Sequence, residues 1–329
     1  NRCSLACVHC SVSEEGHAHH AATGYLDPKI FFDLVADLED LGARFDALIP
    51  FWLGEPLLHP RFTAIWRRGL RAAARHGTFG KVEVHTNATH LTAARTAALL
   101  NDSAVPTVLH LSLDAATQET YHRIKGLDRF DRVDDNVARF VAEKGRTGAR
   151  GPRPVFQFIV GSNNVAEVGA FRRRWEGACR DAGLAVRSAA GHVPEGDDAI
   201  VFFRQLDCPT ADEQERENAV FRAAMAEQGL PLPAQAEKGE AVEASNLVPC
   251  SGFWKSPVVS WKGELTTCTR DNLLENQIGV LTEARFGDLW WGGTMAGTRD
   301  RVAAGDYAGL SLCAPCFIPR SLNHADLDA

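Results

Sequence analysis

The alternation of strand-like and helix-like segments between residues 27 and 190 restricts the fold more than any other feature of the chain. Asp27-Pro28 predicts the start of a helix, and apolar residues then recur along one helical face. Further strands are expected at 47–53, 81–87, 105–114, 155–160 and 185–188, with helices between them. Such alternation predicts a parallel sheet of right-handed βαβ units, whose functional residues gather at the carboxyl ends of the strands.

After residue 190 the regular alternation of strand and helix patterns ends. Residues 191–249 contain a polar helix at about 211–228 and a stretch rich in Pro, Ala and Glu, which indicates a connector or insert. Residues 250–329 contain short strand and turn signals, including a hairpin turn at Lys262-Gly263. We therefore predict three regions, 1–190, 191–249 and 250–329, and expect Trp290 and Trp291 to pack the last one against the first.

The net charge and the hydropathy of the chain indicate which partners are not expected. The chain has 329 residues, 45% of them hydrophobic, and a formal net charge of −7. This charge gives no reason to expect a nucleic-acid partner, which would favour a concentrated basic face. Neither an apolar run of about 18 residues nor a signal peptide is visible, so we expect no membrane span.

Cysteines cluster at the two ends of the sequence. There are nine, an odd number that does not fit a secreted disulfide framework. Clustered thiols in a reducing compartment more often bind metal, so a cytoplasmic protein is expected. Cys3, Cys7 and Cys10 supply three thiolates at the start of the chain, whereas a structural zinc site needs four ligands. Three close thiolates suit a [4Fe–4S] cluster with one open iron, although a Cys-x2-Cys pair alone leaves zinc, thioredoxin-like and haem sites possible.

This cysteine spacing resembles the signature of the radical S-adenosylmethionine (SAM) superfamily, and further motifs follow in the family's order. Leu53-Gly54-Glu55-Pro56 is similar to its Gly-Gly-Glu-Pro segment, with Leu53 in place of the first glycine. His85-Thr86-Asn87-Ala88 resembles the end of its third strand, and 111–114 with 121–126 resembles its fourth strand and following helix. The resemblance covers about residues 1–190 and implies an α/β fold, a partial (β/α)6 TIM-like barrel. Because the signature normally follows a strand, we expect the natural chain to begin further upstream.

The same resemblance implies roles for individual residues. Cys3, Cys7 and Cys10 would hold the SAM-binding [4Fe–4S] cluster. Gly54 and Glu55 would contact the SAM amino group, Ser112 and Asp114 would lie near the ribose, and Arg123 near the carboxylate. The expected cofactor-binding residues are His9, Gly54, Glu55, Thr86, Asn87, Ser112, Asp114 and Arg123. His9 would stand beside the adenine, its alternative being a solvated loop histidine, and Glu55, Asp114 and Arg123 have the alternative of structural or surface charges.

Four distal cysteines form a second motif. Cys250, Cys268, Cys313 and Cys316 are spaced as in the twitch/SPASM domain of radical SAM enzymes. That resemblance implies a small C-terminal α+β twitch domain with one auxiliary [4Fe–4S] cluster that has no open iron. The alternative is a four-cysteine zinc ribbon, whose pairs are usually both Cys-x2-Cys.

The remaining thiols and histidines allow two interpretations each. Cys179 shares a helical face with Phe171 and Trp175, which predicts a small core residue. Cys208 is a tentative catalytic residue, a hydrogen-atom donor to a substrate radical, or else a structural cysteine. The Glu- and His-rich tract at 14–20 could bind metal, but we favour a solvated or substrate-facing loop.

Taken with the family resemblance, these motifs imply a radical SAM oxidoreductase that forms a 5′-deoxyadenosyl radical and takes a hydrogen atom from a natural-product substrate. The four-cysteine spacing resembles the aminocyclitol dehydrogenase of butirosin biosynthesis and related antibiotic-pathway enzymes. Dehydrogenation or epimerisation of a sugar- or aminocyclitol-like small molecule is therefore expected, with a flavodoxin or ferredoxin as reductase. The alternatives are a peptide (RiPP) maturase that forms crosslinks or epimerises residues, and a non-catalytic iron–sulfur electron carrier or zinc-binding scaffold.

Overall fold

The structure, a computed structural model, describes residues 1–10, 22–208, 210–232 and 249–316. Its main sheet has six strands: β1 (Phe45–Leu48), β2 (Phe79–Thr86), β3 (Thr107–Ser112), β4 (Arg153–Val160), β5 (Val186–Ala190) and β6 (Ala199–Gln205). Seven helices accompany them: α1 (Pro28–Asp40), α2 (Phe62–His76), α3 (Ala93–Leu99), α4 (Gln118–Lys125), α5 (Phe130–Thr147), α6 (Val168–Asp181) and α7 (Ala211–Glu227). No helix among the described residues is long and apolar enough to cross a membrane.

All neighbouring strands of this sheet are parallel, in the order β1-β2-β3-β4-β6-β5. The predicted α/β fold with a partial TIM-like barrel is therefore confirmed. The register sets His85 of β2 opposite His110 of β3, and Ser112 opposite Gln157 of β4. Because all strands run the same way, their carboxyl ends share one edge, and that edge is where side chains for chemistry can gather.

The two faces of the sheet differ in what they bury. On the outer face, Val82, Leu109 and Phe156 belong to the main core together with residues of the surrounding helices. The inner face carries the alternate residues, including a small apolar group of Val108, Val155, Ile200 and Phe202. Successive side chains of a strand point to opposite faces, so His110 and Ser112 lie on the inner face with Val108.

The sheet continues beyond the boundary expected at residue 190. Strand β6 falls within the segment 191–249, which was expected to be a connector, yet it lies between β4 and β5. The turn residues between 191 and 198 obscure this strand in the sequence. Arg153 holds that short turn, since its guanidinium donates to the carbonyls of Pro194 and Asp198 at 2.8 and 2.6 Å. The first strand was also expected to be longer, 47–53, but β1 ends at Leu48.

Local signals account for the start of α1. The Asp27 carboxylate accepts a hydrogen bond from the Lys29 amide at 2.9 Å, and Pro28 takes the first helical position, as predicted. The helix then buries Phe31, Val35 and Leu38 on one face.

The C-terminal region is a small α+β unit. It contains α8 (Gly252–Lys255), β7 (Val258–Val259), β8 (Glu264–Thr266), β9 (Gly279–Val280), α9 (Phe286–Trp290) and α10 (Gly293–Ala303). The antiparallel pair β7–β8 encloses the predicted Lys262-Gly263 turn. This unit packs on α1 through α9, where Arg285 pairs with Asp37 at 2.5 Å. Trp290 is buried, as expected of a packing residue, whereas Trp291 is half exposed.

Candidate functional site

The loop with the first three cysteines is held in place by two distant parts of the chain. The Glu55 amide donates to the Arg2 carbonyl at 2.7 Å, next to Cys3. On the other side, the amides of Ala6 and Val8 donate to the carbonyls of Lys125 and Ile124 at 3.1 and 3.0 Å. The backbone around Cys7 is therefore clamped between the Gly54-Glu55 segment and the end of α4.

Two glycines make this clamp possible. Gly54 and Gly126 have φ values of 92° and 72°, which favour glycine. A Cβ at Gly54 would lie 2.5 Å from the Arg2 carbonyl oxygen, and one at Gly126 would overlap the Ala6 carbonyl. Both glycines thus let the cysteine loop approach more closely than any other residue would.

The three sulfurs of this loop lie close together, since Cys7 and Cys10 both affect the ionisation of Cys3, and Cys10 affects that of Cys7. Burial raises the pKa of Cys3 to about 11, and it raises the pKa of Cys7 as well. The Asn87 side chain donates to the Cys3 sulfur at 3.6 Å. Three thiolates are one ligand short of a structural zinc site, and they suit a [4Fe–4S] cluster with one open iron.

Glu55 is a buried carboxylate that organises the edge of the sheet beside the cysteine loop. Its Oε1 accepts from the Leu57 amide at 2.9 Å and the Thr86 hydroxyl at 2.7 Å, and its Oε2 accepts from the Asn87 amide at 2.7 Å. Burial raises its pKa to about 7, although these three donors oppose the shift. The predicted residues Gly54, Glu55, Thr86 and Asn87 are therefore brought together next to Cys3.

Asp114 forms a buried ion pair with Lys125. Its Oδ2 accepts from the Lys125 ammonium, and its Oδ1 accepts from the Ile159 amide at 2.7 Å. The two side chains are 1% and 3% exposed, and the lysine cation lowers the pKa of the neighbouring Cys7 against the effect of burial. Asp114 has a φ of 61°, an unusual value for a residue other than glycine. This carboxylate therefore holds a cation beside the cysteine loop, a structural role that the sequence left open as the alternative.

Arg123 has partners other than this pair. Its guanidinium donates to the Asn163 carbonyl at 2.7 Å and lies 3.6 Å from the Glu119 carboxylate, and half of the side chain is exposed. Its expected contact with the SAM carboxylate stays a prediction. Lys125 was missed, although its spacing of four from the buried Tyr121 signals that it lies on the inward face of α4.

Three further predicted residues lie around the same edge. Ser112 ends β3 on the inner face, where it is half-buried and pairs with Gln157 of β4. The surface of His9 is exposed, yet desolvation by the surrounding protein lowers the pKa of its imidazole, against the effect of Asp114 and together with that of Lys125 and Arg204. Cys208 follows β6 by three residues, and its amide donates to the Gln214 side chain at 3.1 Å. Burial raises the pKa of the Cys208 thiol, which favours its protonated form.

The four distal cysteines converge in the C-terminal unit. Cys250 is close enough to Cys268, Cys313 and Cys316 for all three to affect its ionisation, and burial raises its pKa to about 11. The Asn276 side chain donates to the Cys313 sulfur at 3.1 Å, and the Arg270 amide to the Cys268 sulfur at 3.3 Å. Four converging thiolates are the full ligand set of one [4Fe–4S] cluster.

Asp271 shapes the loop that carries Cys268. It is fully buried, and its carboxylate accepts from the Thr266 hydroxyl at 2.5 Å and from the amides of Glu275 and Asn276 at 2.7 and 2.9 Å. Sequence reasoning singled out neither Asp271 nor Asn276. Aspartate commonly bonds to backbone amides a few residues on, which is the signal that could have identified it.

One tryptophan joins the two cysteine regions. The indole of Trp52, two residues before Gly54, donates to the carbonyl of Thr269 at 2.8 Å, and Thr269 follows Cys268. The loop after β1 therefore contacts both the first cysteine loop and the loop of the distal site.

The Glu- and His-rich tract at 14–20 lies outside the described residues. Cys179 is fully buried on α6, as predicted.

Comparisons with known proteins agree with this arrangement. Residues 1–163 match the model of the radical SAM superfamily. The solved structure of anSMEcpe with bound AdoMet and the Cp18Cys peptide is 14% identical, with a TM-score of 0.58, over 96% of this chain and 83% of that one. BtrN in complex with AdoMet and 2-DOIA is also 14% identical, with a TM-score of 0.46, over 92% of this chain and 84% of that one. No curated protein matches the sequence.

At 14% identity the likeness to anSMEcpe speaks for the fold alone, and the TM-score of BtrN is too low to carry an argument, so the family assignment depends on the match over residues 1–163. That match contains the three-cysteine loop, the Gly54-Glu55 segment, the ends of β2 and β3, and the Asp114–Lys125 pair. Through this domain the chain belongs to the radical SAM superfamily, whose members bind a [4Fe–4S] cluster and SAM.

Proposed function

We propose that Cys3, Cys7 and Cys10 hold a [4Fe–4S] cluster with one open iron, at which SAM binds. The observation that carries this proposal is the clamped cysteine loop, whose thiols lie beside Glu55, Asn87 and Lys125 at the carboxyl edge of the sheet. When bound, the cluster supplies the electron that cleaves SAM to methionine and a 5′-deoxyadenosyl radical.

The protein's own residues then bind and orient SAM. Glu55 is the acceptor for the SAM ammonium, and Thr86 and Asn87 fix its two oxygens. Ser112 lies on the inner face where the ribose is expected, and exposed His9 is available to stack on the adenine. Lys125, paired with Asp114, is the buried cation beside the cysteine loop. We therefore assign the positive charge next to the SAM site to Lys125 rather than to Arg123.

The four distal cysteines are the ligands of an auxiliary [4Fe–4S] cluster in this proposal. All four ligands come from the protein, so no iron is left open for a substrate. The contact between Trp52 and Thr269 supports a position at the mouth of the barrel. A cluster there can accept an electron from a substrate radical.

Dehydrogenation of an alcohol is the reaction that uses both sites. The substrate carbon loses a hydrogen atom to the 5′-deoxyadenosyl radical, which becomes 5′-deoxyadenosine. The remaining hydroxyalkyl radical loses one electron to the auxiliary cluster and one proton to solvent or a basic group, which leaves a ketone. A sugar- or aminocyclitol-like molecule provides the hydroxyl-bearing carbon that this sequence of steps needs.

Epimerisation is a second candidate, favoured by Cys208. This thiol follows β6 at the same edge of the sheet and is kept protonated by burial, the form that can donate a hydrogen atom. Modification of a peptide uses the same radical, and anSMEcpe was solved with a peptide bound. A non-catalytic electron carrier, in contrast, needs neither the Glu55 network nor Cys208.

An assay in deuterated buffer distinguishes these reactions. Anaerobically reconstituted protein is given dithionite, SAM and a panel of sugars, aminocyclitols and peptides. We expect 5′-deoxyadenosine and a ketone that has lost two hydrogens and gained no deuterium. A product with one solvent deuterium, lost in Cys208→Ala while 5′-deoxyadenosine formation persists, would instead establish epimerisation. Absence of 5′-deoxyadenosine from the intact protein would refute the radical SAM activity and favour an electron carrier.

Compartment and redox partner follow from the same chemistry. No disulfide joins any of the nine cysteines, all of which lie among the described residues, and this supports a reducing, cytoplasmic location. Turnover in such a compartment requires a one-electron donor, and a flavodoxin or ferredoxin is the class that we propose.

A further inference from the structure

Three side chains on the inner face of the sheet form a cluster that the proposed function does not use. Glu83 and His85 lie two positions apart on β2 and therefore on the same face, and His110 is the register partner of His85 on β3. We call Glu83, His85 and His110 the inner-face triad. The side chains of Glu83 and His110 are 9% and 10% exposed, and that of His85 is 27% exposed.

The spacing of the triad is too wide for good hydrogen bonds. Oε2 of Glu83 lies 3.4 Å from Nε2 of His85 and 3.5 Å from Nε2 of His110. Ordinary N–H···O bonds measure about 2.7–3.2 Å. A tetrahedral ion with ligands at about 2.1 Å separates them by about 3.4 Å, so the two measured distances match two edges of such a site.

The surroundings of the triad are also those of a metal site. Lys81 donates to the second oxygen of Glu83 at 2.6 Å, which fixes the carboxylate from outside in the way that outer-shell partners hold metal ligands. The His110 ring turns Nε2 toward Glu83, and so it is this nitrogen that is offered to an ion. Burial also lowers the pKa of His110, which keeps the imidazole in its neutral, ligating form.

We propose that the inner-face triad binds one divalent transition-metal ion of the zinc class. Two imidazoles and one carboxylate are a common ligand set for such ions. They leave at least one coordination position of the ion open, on the inner face of the sheet. The rings of His85 and His110 stack at 4.1 Å with planes 18° apart, so binding requires a rotation of at least one ring. The terminal torsion of histidine is broad, and His85, which stacks on Phe51 at 5.8 Å and is 27% exposed, is the ring that would turn.

The triad shares no residue with the cysteine loop or with the distal cysteines, so its metal content can be measured apart from the radical chemistry. Its test therefore needs no substrate and uses Zn²⁺ alone. Two other groups in the chain could take zinc: cluster-free cysteines, and the histidines at 17, 19 and 20. The experiment has to exclude both.

The protein is first reconstituted anaerobically with both clusters, so that the thiolates are occupied, and is then equilibrated with Zn²⁺. Bound zinc is counted by mass spectrometry, and its ligands are identified by X-ray absorption. The background variant carries His17→Ala, His19→Ala and His20→Ala together. Glu83→Gln and His110→Ala are made in that background, with His76→Ala as the control for the surface pair of His76 and Glu39, which lie 3.9 Å apart.

We expect one zinc per chain in the background variant and in the His76→Ala control, with nitrogen and oxygen ligands at about 2.0–2.2 Å and no sulfur at about 2.3 Å. Glu83→Gln and His110→Ala should each weaken binding more than about 100-fold, since even outer-shell partners contribute 10–100-fold. Both variants should keep their clusters and circular dichroism spectrum, which shows that they fold. Absence of zinc from the background variant, zinc bound through sulfur, or undiminished binding in a folded Glu83→Gln protein would overturn the proposal.

Discussion

The two cysteine sites differ in how the protein holds them. The first loop supplies three thiolates and is fixed from outside, by Glu55 on one side and by the end of α4 on the other. The distal site supplies four thiolates within one small unit, and its sulfurs receive local hydrogen bonds from Asn276 and Arg270. A cluster with an open coordination position needs the surrounding barrel to limit which molecules reach that iron. A cluster with four protein ligands can be held by one short part of the chain.

The charges around the two sites differ in the same way. Next to the first loop lie a buried carboxyl, Glu55, and a buried ion pair, Asp114 and Lys125. Near the distal site the buried carboxylate of Asp271 is satisfied entirely by neighbouring hydroxyl and amide groups. The first site therefore depends on interactions between remote residues, and substitutions there should have larger effects on function.

The largest expected difference is between Cys7→Ala and Cys316→Ala. Each variant should lose one cluster, so iron should fall from about eight to about four atoms per chain. Only Cys7→Ala should abolish 5′-deoxyadenosine formation from SAM and dithionite, because only its cluster has an open iron. Iron analysis and chromatography of the reaction mixture measure both quantities. If Cys316→Ala alone stopped SAM cleavage, the assigned roles of the two sites would be reversed.

Removal of the buried cation should have the next largest effect. Lys125→Met leaves the Asp114 carboxylate buried without its partner, which should cost about 3–5 kcal/mol in the free energy of unfolding. Arg123→Met, on the same helix but half exposed, should cost less than about 1 kcal/mol. Anaerobic urea denaturation of the reconstituted proteins measures both.

A second substitution checks the cause of that loss. Adding Asp114→Asn to Lys125→Met removes the unpaired charge and should restore part of the stability. Equal losses for Lys125→Met and Arg123→Met would mean that the ion pair does not stabilise the fold.

A smaller effect is expected where the cysteine loop meets α4. Gly126 and Gly148 both end helices with positive φ, 72° and 66°, but a Cβ at Gly148 meets nothing within 4 Å. Gly148→Ala should therefore cost only the backbone strain, about 1–2 kcal/mol. Gly126→Ala should cost this and also displace Ala6, which lowers the iron retained by the first cluster. Similar iron contents in the two variants would show that this close approach does not hold the loop.

The smallest effect concerns the pH dependence of SAM binding. Glu55 has a pKa of about 7 before SAM binds, and its ionised form attracts the SAM ammonium. Affinity should therefore be full above pH 7 and fall as pH drops through 7, to roughly one tenth near pH 6. Equilibrium dialysis with labelled SAM measures this slope. In Glu55→Gln the slope should disappear, and a slope that persists would assign the titration to another group.

The fold was largely predictable because its elements carry strong local patterns. Strands β2, β3 and β4 begin and end within about two residues of their expected positions, and α1 begins at its predicted cap. Strand β6 was missed because Gly191, Pro194 and Gly196 suggested irregular structure just before it. Its insertion between β4 and β5 depends on long-range pairing, which no local pattern encodes.

Residues of the candidate site could be predicted from the sequence only where they belong to a motif of the family. Glu55 and Asn87 come together beside Cys3, as the resemblance implied. The ion pair of Asp114 with Lys125 was not anticipated, because Arg123 and Lys125 are both basic and only the helix packing distinguishes them. The inner-face triad was not anticipated either, because it requires the register between β2 and β3.

The asymmetry between the two sites is tested most directly by electron paramagnetic resonance of reduced single-cluster variants. Cys316→Ala retains the first cluster and Cys7→Ala retains the auxiliary one. Addition of SAM should change the spectrum of the Cys316→Ala protein, since SAM binds the open iron, and should leave the spectrum of the Cys7→Ala protein unchanged. An unchanged spectrum in Cys316→Ala, or a change in Cys7→Ala, would contradict the assignment of the open iron to the first site.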